Sequence, residues 1–266
     1  MSVITLCSAS GSPGVTTTAV GLAMVWPRPV LIVEADPSGS NGLLAGYLQG
    51  ASEYETGLLE LASSPLPMPD ALRDVVRSLD PTTRATAGSP VSYLVGTQTH
   101  GQAAGLRDLW TPLVEALADL ERGGQDVIVD AGRLGLIGSP EPLLSWADLT
   151  LLVTRSTLPA LAGARTWADD LRARDSSWRQ PGLLVIGEGQ PYRRQEITKV
   201  LGLPVVTTIA DDEEAAKVYH RGARPPRRFT TGPLSRSLQA AAAAITGAIA
   251  RHREDLTHDV TAGGTP

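Results

Sequence analysis

Cysteine is nearly absent: Cys7 stands alone among 266 residues. A single thiol excludes an internal disulfide and any multi-cysteine metal site. Lysine is scarce too, since of 23 basic residues only Lys199 and Lys217 are lysines. Aromatic residues make up 4%, with one Phe, which argues against the base-stacking platforms of single-strand binders. No apolar run reaches the roughly 18 to 20 residues that span a bilayer. The net charge of −5 gives no global positive field, so contact with nucleic acid or anionic lipid would have to be local. The opening segment, MSVITLCSAS, lacks a basic n-region, so no signal peptide is expected and the expected compartment is the cytoplasm. What is present is ordinary globular composition, 42% hydrophobic and 19% charged, long enough for one large domain or two small ones.

Short apolar runs rich in β-branched residues alternate with helix-like stretches. The strand candidates are Val3–Ala9, Val30–Ala35, Val91–Gly96, Asp126–Ala131, Leu149–Thr154, Leu183–Gly187 and Val205–Ile209. Several are apolar almost without alternation, as in strands covered on both faces. Helices are expected over Thr16–Val25, Asp70–Leu79, Leu106–Arg122, Leu158–Arg174, Arg193–Leu201, Asp211–Arg221 and Leu234–Arg253. The alternation predicts a doubly wound, mostly parallel α/β sheet with helices on both faces and ligands at the carboxyl ends of strands. Residues 1–256 are expected to form a single domain and 257–266 a disordered tail. Ser63–Pro69 and Asp80–Pro90 read as insertions on that domain.

The strongest local signal is the run Ser8 to Thr18, SASGSPGVTTT, between the first strand and the first helix. In that context backbone N–H groups and a helix N-terminus cradle phosphate. Gly11 and Gly14 allow a tight turn, with Ser12, Pro13, Val15, Thr16 and Thr17 completing the loop. Thr16 and Thr17 are placed to cap the helix, and a hydroxyl there is a magnesium ligand. A Gly/Ser/Pro turn feeding a helix is common on its own. Here two more strand ends carry carboxylates: Glu34-Ala-Asp36 after the second strand and Asp130 at the end of the fourth. Three strand ends aimed at one crevice make a chemical constellation.

On these residues the chain resembles the ParA/MinD family of deviant Walker A ATPases, including their CpaE/TadZ-like relatives. That family's K-G-G-x-G-K-T-T motif falls on Ser10-Gly11-Ser12-Pro13-Gly14-Val15-Thr16-Thr17, its D-x-D-P-x-G on Glu34 to Gly39, and its Walker B on Ile128-Val129-Asp130. Leu201 to Asp212 resembles the late lgLPvlg-IPxD segment. The resemblance implies a P-loop fold, Asp36 as water-activating carboxylate, Thr16 and Asp130 as magnesium-linked groups, and ATP with magnesium as cofactors of an active member.

The departures change that expectation. Val15 stands where the family has its phosphate-binding lysine, and Ser10 where it has the signature lysine that reaches across a nucleotide-sandwiched dimer. Gly187 replaces an adenine-recognising Asn, and Ala210 the proline of the late segment. Losing one preorganised donor costs about 3–4 kcal/mol of barrier, or 100- to 1000-fold in rate. Arg133 and Arg155, which follow strands near the site, are the first candidates to replace the charge; solvated loop arginines are the plainer reading. Arg221, Arg224, Arg227 and Arg228 form one basic cluster, either a solvated loop or a contact for phosphate, DNA or an acidic partner. The last helix, with small residues and no bulky aromatic face, reads as a packing helix rather than a membrane anchor.

The expectation is therefore a degenerate relative with little or no ATPase activity and no required cofactor. It would act as a cytoplasmic scaffold or positioning factor through an unidentified protein partner, any homodimer being independent of nucleotide. The alternatives are a working ATP-dependent switch with a remodelled loop, and a DNA-associated partition factor.

Overall fold

The computed structural model describes residues 2–39, 41–50, 57–79, 89–172 and 177–262. In chain order the elements are β1 (Val3–Ser8), α1 (Val15–Val25), β2 (Val30–Glu34), a π-helical turn (Gly42–Tyr47), α2 (Leu58–Ser63), α3 (Met68–Val75), β3 (Arg77–Ser78), β4 (Val91–Leu94), α4 (His100–Gly105), α5 (Trp110–Arg122), β5 (Asp126–Arg133), α6 (Glu141–Trp146), β6 (Leu149–Arg155), α7 (Leu158–Arg172), β7 (Pro181–Ile186), α8 (Arg194–Leu201), β8 (Val205–Ile209), α9 (Glu213–Arg221) and α10 (Pro233–Ala262). The strands form one sheet in the order β3-β4-β2-β5-β1-β6-β7-β8. Every pairing is parallel except β3 with β4.

Side chains alternate across the strands into two cores. Val3, Leu31, Val33, Val127 and Val129 pack with α3, α5, α6, α7 and α8. Ile4, Leu6, Val30, Ile32 and Ile128 pack on the opposite face with α1, α9 and α10. Both faces are covered, which is why the strands read as unbroken apolar runs. In α10, Leu234, Leu238, Ala241, Ala242, Ile245 and Ile249 make one buried stripe at helical spacing. It is a packing helix, and among the described residues no helix is long and apolar enough to cross a membrane.

All seven expected strands form. The helix expected over Asp70–Leu79 stops at Val75, because Val76 is extended and Arg77–Ser78 add an antiparallel edge to β4. The stretch expected as one helix from Leu106 to Arg122 divides: Leu106 ends α4, Arg107–Leu109 make a 3-10 turn, and α5 starts at Trp110. The short helices α2, α4 and α6 are not legible as periodic segments. α10 runs to Ala262, past the expected start of a tail at 257, while 263–266 lie outside the described residues. Most of the Asp80–Pro90 break lies outside them as well.

β1 is flanked by β5 on one side and β6 on the other, so the chain reverses its direction of travel across the sheet there. Such a point opens a crevice at the carboxyl ends of the strands.

Candidate functional site

The loop from Ala9 to Gly14 leaves the carboxyl end of β1 and enters α1 at Val15. Gly14 occupies the N-cap with φ 109° and ψ 38°, a left-handed conformation that disfavours any residue with a Cβ. The expected capping by Thr16 and Thr17 does not occur. Both lie inside the first turn, and no side chain caps α1. The Thr16 hydroxyl instead donates to Asp130 at 2.5 Å. The first-turn amides, which have no intrahelical acceptor, belong to the wall of the cleft, with no acidic residue among them.

Three carboxylates stand at the ends of β2 and β5, and the structure gives each a different position. Glu34 is 2% exposed and accepts from the Leu43 amide at 3.0 Å and the Gly96 amide at 3.1 Å. It fastens the π-helical turn to the end of β4, a structural duty that the motif alone does not reveal. Burial raises its carboxyl above the usual range, and the two amides oppose the rise. Asp36 accepts from the Ser38 amide at 2.9 Å and faces the cleft. A Cβ on Gly132 would fall 2.1 Å from its Oδ1, and Gly132 has φ of 60°, so a side chain there would be strained and would crowd Asp36. Asp130 is 1% exposed and sits behind Thr16, accepting from it and from the Gly132 amide at 3.0 Å. Burial, then the neighbouring Asp36 and Glu34 charges, lift it to about 7 against the pull of the Thr16 hydroxyl.

The positions where the resembled family has lysines hold an apolar and a small polar side chain here. Val15 is 7% exposed and belongs to the core beneath α1. Ser10 lies against α7: a Cβ on Gly163 would come within 2.2 Å of the Ser10 hydroxyl. Neither position offers a cation to the cleft.

The cleft is a cavity of about 910 Å³. Gly11, Ser12, Pro13, Gly14, Val15, Thr16, Thr17 and Asp36 all line it, so the predicted loop and carboxylate come together. Arg133 and Arg155 line it too. Arg133 is exposed, whereas Arg155 pairs with Asp211 at 2.5 Å. Asp211, Asp212 and Glu213 line the cleft as well, as do the apolar side chains of Ile186, Ile209 and Leu238. His220 is half-buried against this cleft and bonds through Nδ1 to the Ala216 carbonyl. Arg221 ends α9 and Arg224, Arg227 and Arg228 follow it; none of the four lines the cavity. Cys7 is fully buried and its thiol is pushed up by burial, an inert core group.

Shape comparison with solved structures places this arrangement. The MinC:MinD cell division complex of Aquifex aeolicus matches with TM-score 0.69 and 16% identity, over 93% of this chain and 96% of that one. This is the MinD/ParA fold. A ParA family ATPase from Chlorobium tepidum matches with TM-score 0.67 and 16% identity over 91% and 97% of the two chains. A single-residue variant of Cyanothece McdA, solved as an ATP complex, matches with TM-score 0.66 and 16% identity over 92% and 96%. No family sequence model matches the chain, and no curated protein matches it by sequence.

The oxygen donors Thr16 and Asp130 fit a hard cation such as magnesium. Among the described residues, though, no three carboxylate, imidazole or thiolate groups are placed to hold a metal by themselves. A magnesium ion in this cleft would depend on phosphate oxygens for the rest of its shell. Sequence reasoning misses Asp211 as a cleft residue, although its position right after β8 is signal enough. It also misses the π-helical turn, where a Cβ on Gly42 would fall 2.8 Å from the Thr16 methyl.

Proposed function

We propose that this protein is a degenerate member of the MinD/ParA type, with little or no ATPase activity, which acts as a cytoplasmic scaffold or positioning factor through protein contacts. The observation that carries the proposal is Val15. The position that should deliver a charge to the β- and γ-phosphates is an apolar side chain packed in the core. Phosphoryl transfer depends on positioning and electrostatic stabilisation, and this loop retains the first and has lost the second. The acidic residues of the cleft make matters worse, since Asp36, Asp211, Asp212 and Glu213 line it and disfavour a triphosphate unless a divalent ion intervenes. That one neighbour in fold was solved in complex with MinC supports a role exerted through a protein partner. No cofactor is required for it.

A second reading, an ATP-dependent switch with a remodelled loop, is favoured by Asp36 and Thr16 lining a cavity large enough for a nucleotide, with Asp130 bonded behind Thr16. A third, a DNA-associated factor, rests on the cluster of arginines 221, 224, 227 and 228 outside the cleft. Steady-state ATPase measurement separates the first two. Turnover is expected below about 0.01 s⁻¹, a thousandth of a typical enzyme. Turnover of about 0.1 s⁻¹ or more, abolished by Asp36→Ala, overturns the proposal in favour of the switch. A salt-dependent DNA shift assay addresses the third.

A further inference from the structure

Arg155 ends β6 and Asp211 follows β8, so their ion pair crosses the carboxyl end of β7, the strand between them. It passes over Gly187, where a Cβ would lie 3.2 Å from the Asp211 Cβ. A second, smaller cavity of about 370 Å³ lies on the α7 side of the phosphate loop. Among the described residues, only Gly11, Ser12, Pro13 and Arg155 line both cavities. Arg155 is therefore the single charged side chain among them that borders the loop from both sides, while Arg133 borders the main cleft alone.

We propose that Arg155 is a latent phosphate-binding residue held by Asp211, and that the cleft takes a phosphate-bearing ligand when this pair opens. The inference rests on the reading above, that the cleft as found is silent towards triphosphate. Its physics is a competition for one guanidinium. Asp211 is a single carboxylate on a part-exposed pair, with side chains 42% and 32% exposed, and such pairs are held weakly. A phosphate group carries more charge and can accept from the planar fork in a bidentate way, whereas Asp211 takes a single N–H through one carboxylate oxygen. At the loop it would also meet the uncapped amides of α1, which Asp211 does not use. The lost lysine is thus replaced by a cation that a neighbouring acid controls, and anything that draws Asp211 away from Arg155 switches the cleft on.

The test is calorimetric titration of the full chain with inorganic pyrophosphate and, separately, with Mg–ATP. Asp211→Asn is expected to bind pyrophosphate at least tenfold more tightly than the wild type, and Arg155→Ala no more tightly than the wild type. The double variant Asp211→Asn/Arg155→Ala should fall back to the level of Arg155→Ala, whereas Asp211→Asn/Arg155→Lys should keep most of the gain. Asp211→Ser provides the same reading if the asparagine variant does not fold, with circular dichroism reporting the fold of each. Equal affinity of Asp211→Asn and wild type overturns the inference. So does a double variant that keeps the full gain, because the gain would then come from removing a negative charge rather than from releasing Arg155. Tight binding and turnover in the wild type would overturn the silent-cleft reading instead, which the variants do not decide.

Discussion

Asp126 and Asp130 lie four residues apart on β5, both buried, at opposite ends of the sheet. Asp126, at the amino end, pairs with Arg28 at 2.8 Å and accepts from the Trp26 indole and the Ser2 amide, each at 2.7 Å. Asp130, at the carboxyl end, has one hydroxyl and one amide as partners and two carboxylates, Glu34 and Asp36, as neighbours. The first is a buried charge with a counter-ion and a complete set of donors, which is how folded proteins tolerate one. The second is a buried acid with no cation paired to it among the described residues. A carboxylate kept in such surroundings is not there for stability. Its place beside the loop, at the switch point of the sheet, sets it apart from Asp126. The structure thus separates the two acids by what surrounds them, where sequence shows only two aspartates on one strand.

The comparison breaks most clearly under substitution. Asp126→Ala strips Arg28, Trp26 and Ser2 of a shared acceptor, and removing one partner of a buried pair costs about 3–5 kcal/mol. Arg28 is 43% exposed and can turn to water, so the lower end is expected. Urea unfolding at pH 7 measures it, and a loss under about 1 kcal/mol would show that Asp126 is not the anchor described.

Asp130→Asn should do the reverse. The folded carboxyl sits at about 7, above the ordinary value near 3.9 of an unfolded chain. Between those two values the folded state holds a proton that the unfolded state has lost, so stability falls as pH rises from about 4 to about 7. Asparagine has nothing to ionise and can still accept from Gly132 and meet Thr16. The variant should therefore be more stable than the wild type above pH 7, by at most about 4 kcal/mol for a rise of that size, and equal to it below pH 4. Unfolding curves at pH 4, 6 and 8 that stay parallel would remove the distinction between the two aspartates.

Much of this is legible in the sequence, for a physical reason. Strands buried on both faces announce themselves as apolar runs, and all seven expected strands form. The loop's turn residues and the strand-end acids fall where a parallel sheet must gather them. What is not legible depends on partners distant in the chain. Glu34 reads as a site acid until Leu43 and Gly96 are found on its oxygens. Thr16 reads as a cap until its hydroxyl is found on Asp130, 114 positions away. Arg155 reads as a loop arginine until Asp211 is found beside it. No local pattern encodes such pairings.

Affinity for ATP sharpens the same contrast at a smaller scale. With acids retained and lysines replaced, the expected Kd is weaker than about 100 μM, a binding free energy short of about −5.5 kcal/mol. Thermal unfolding with and without Mg–ATP is the direct check. A clear rise in melting temperature at low micromolar ATP, not reproduced by AMP, would mean that the phosphate wall still works.

The smallest effect expected is none at all, on self-association. In the family that this chain resembles, ATP joins two subunits because each signature lysine reaches the other subunit's phosphates. Here that position is Ser10, an uncharged side chain whose hydroxyl lies against Gly163 of α7. It has neither the length nor the charge to neutralise phosphate across an interface. A ligand shifts an equilibrium only by its differential affinity for the two states, and with no residue bridging through the nucleotide that difference vanishes. Any dimer must then rest on direct protein contacts, and its mass by light scattering should be the same with ATP, ADP or EDTA. A monomer that dimerises only with ATP and magnesium would show that another side chain has assumed the bridging role. Arg155, which borders the loop on the same side as Ser10, is the first to substitute: if Arg155→Ala abolished such a dimer, the charge lost from the loop would have moved to the end of β6.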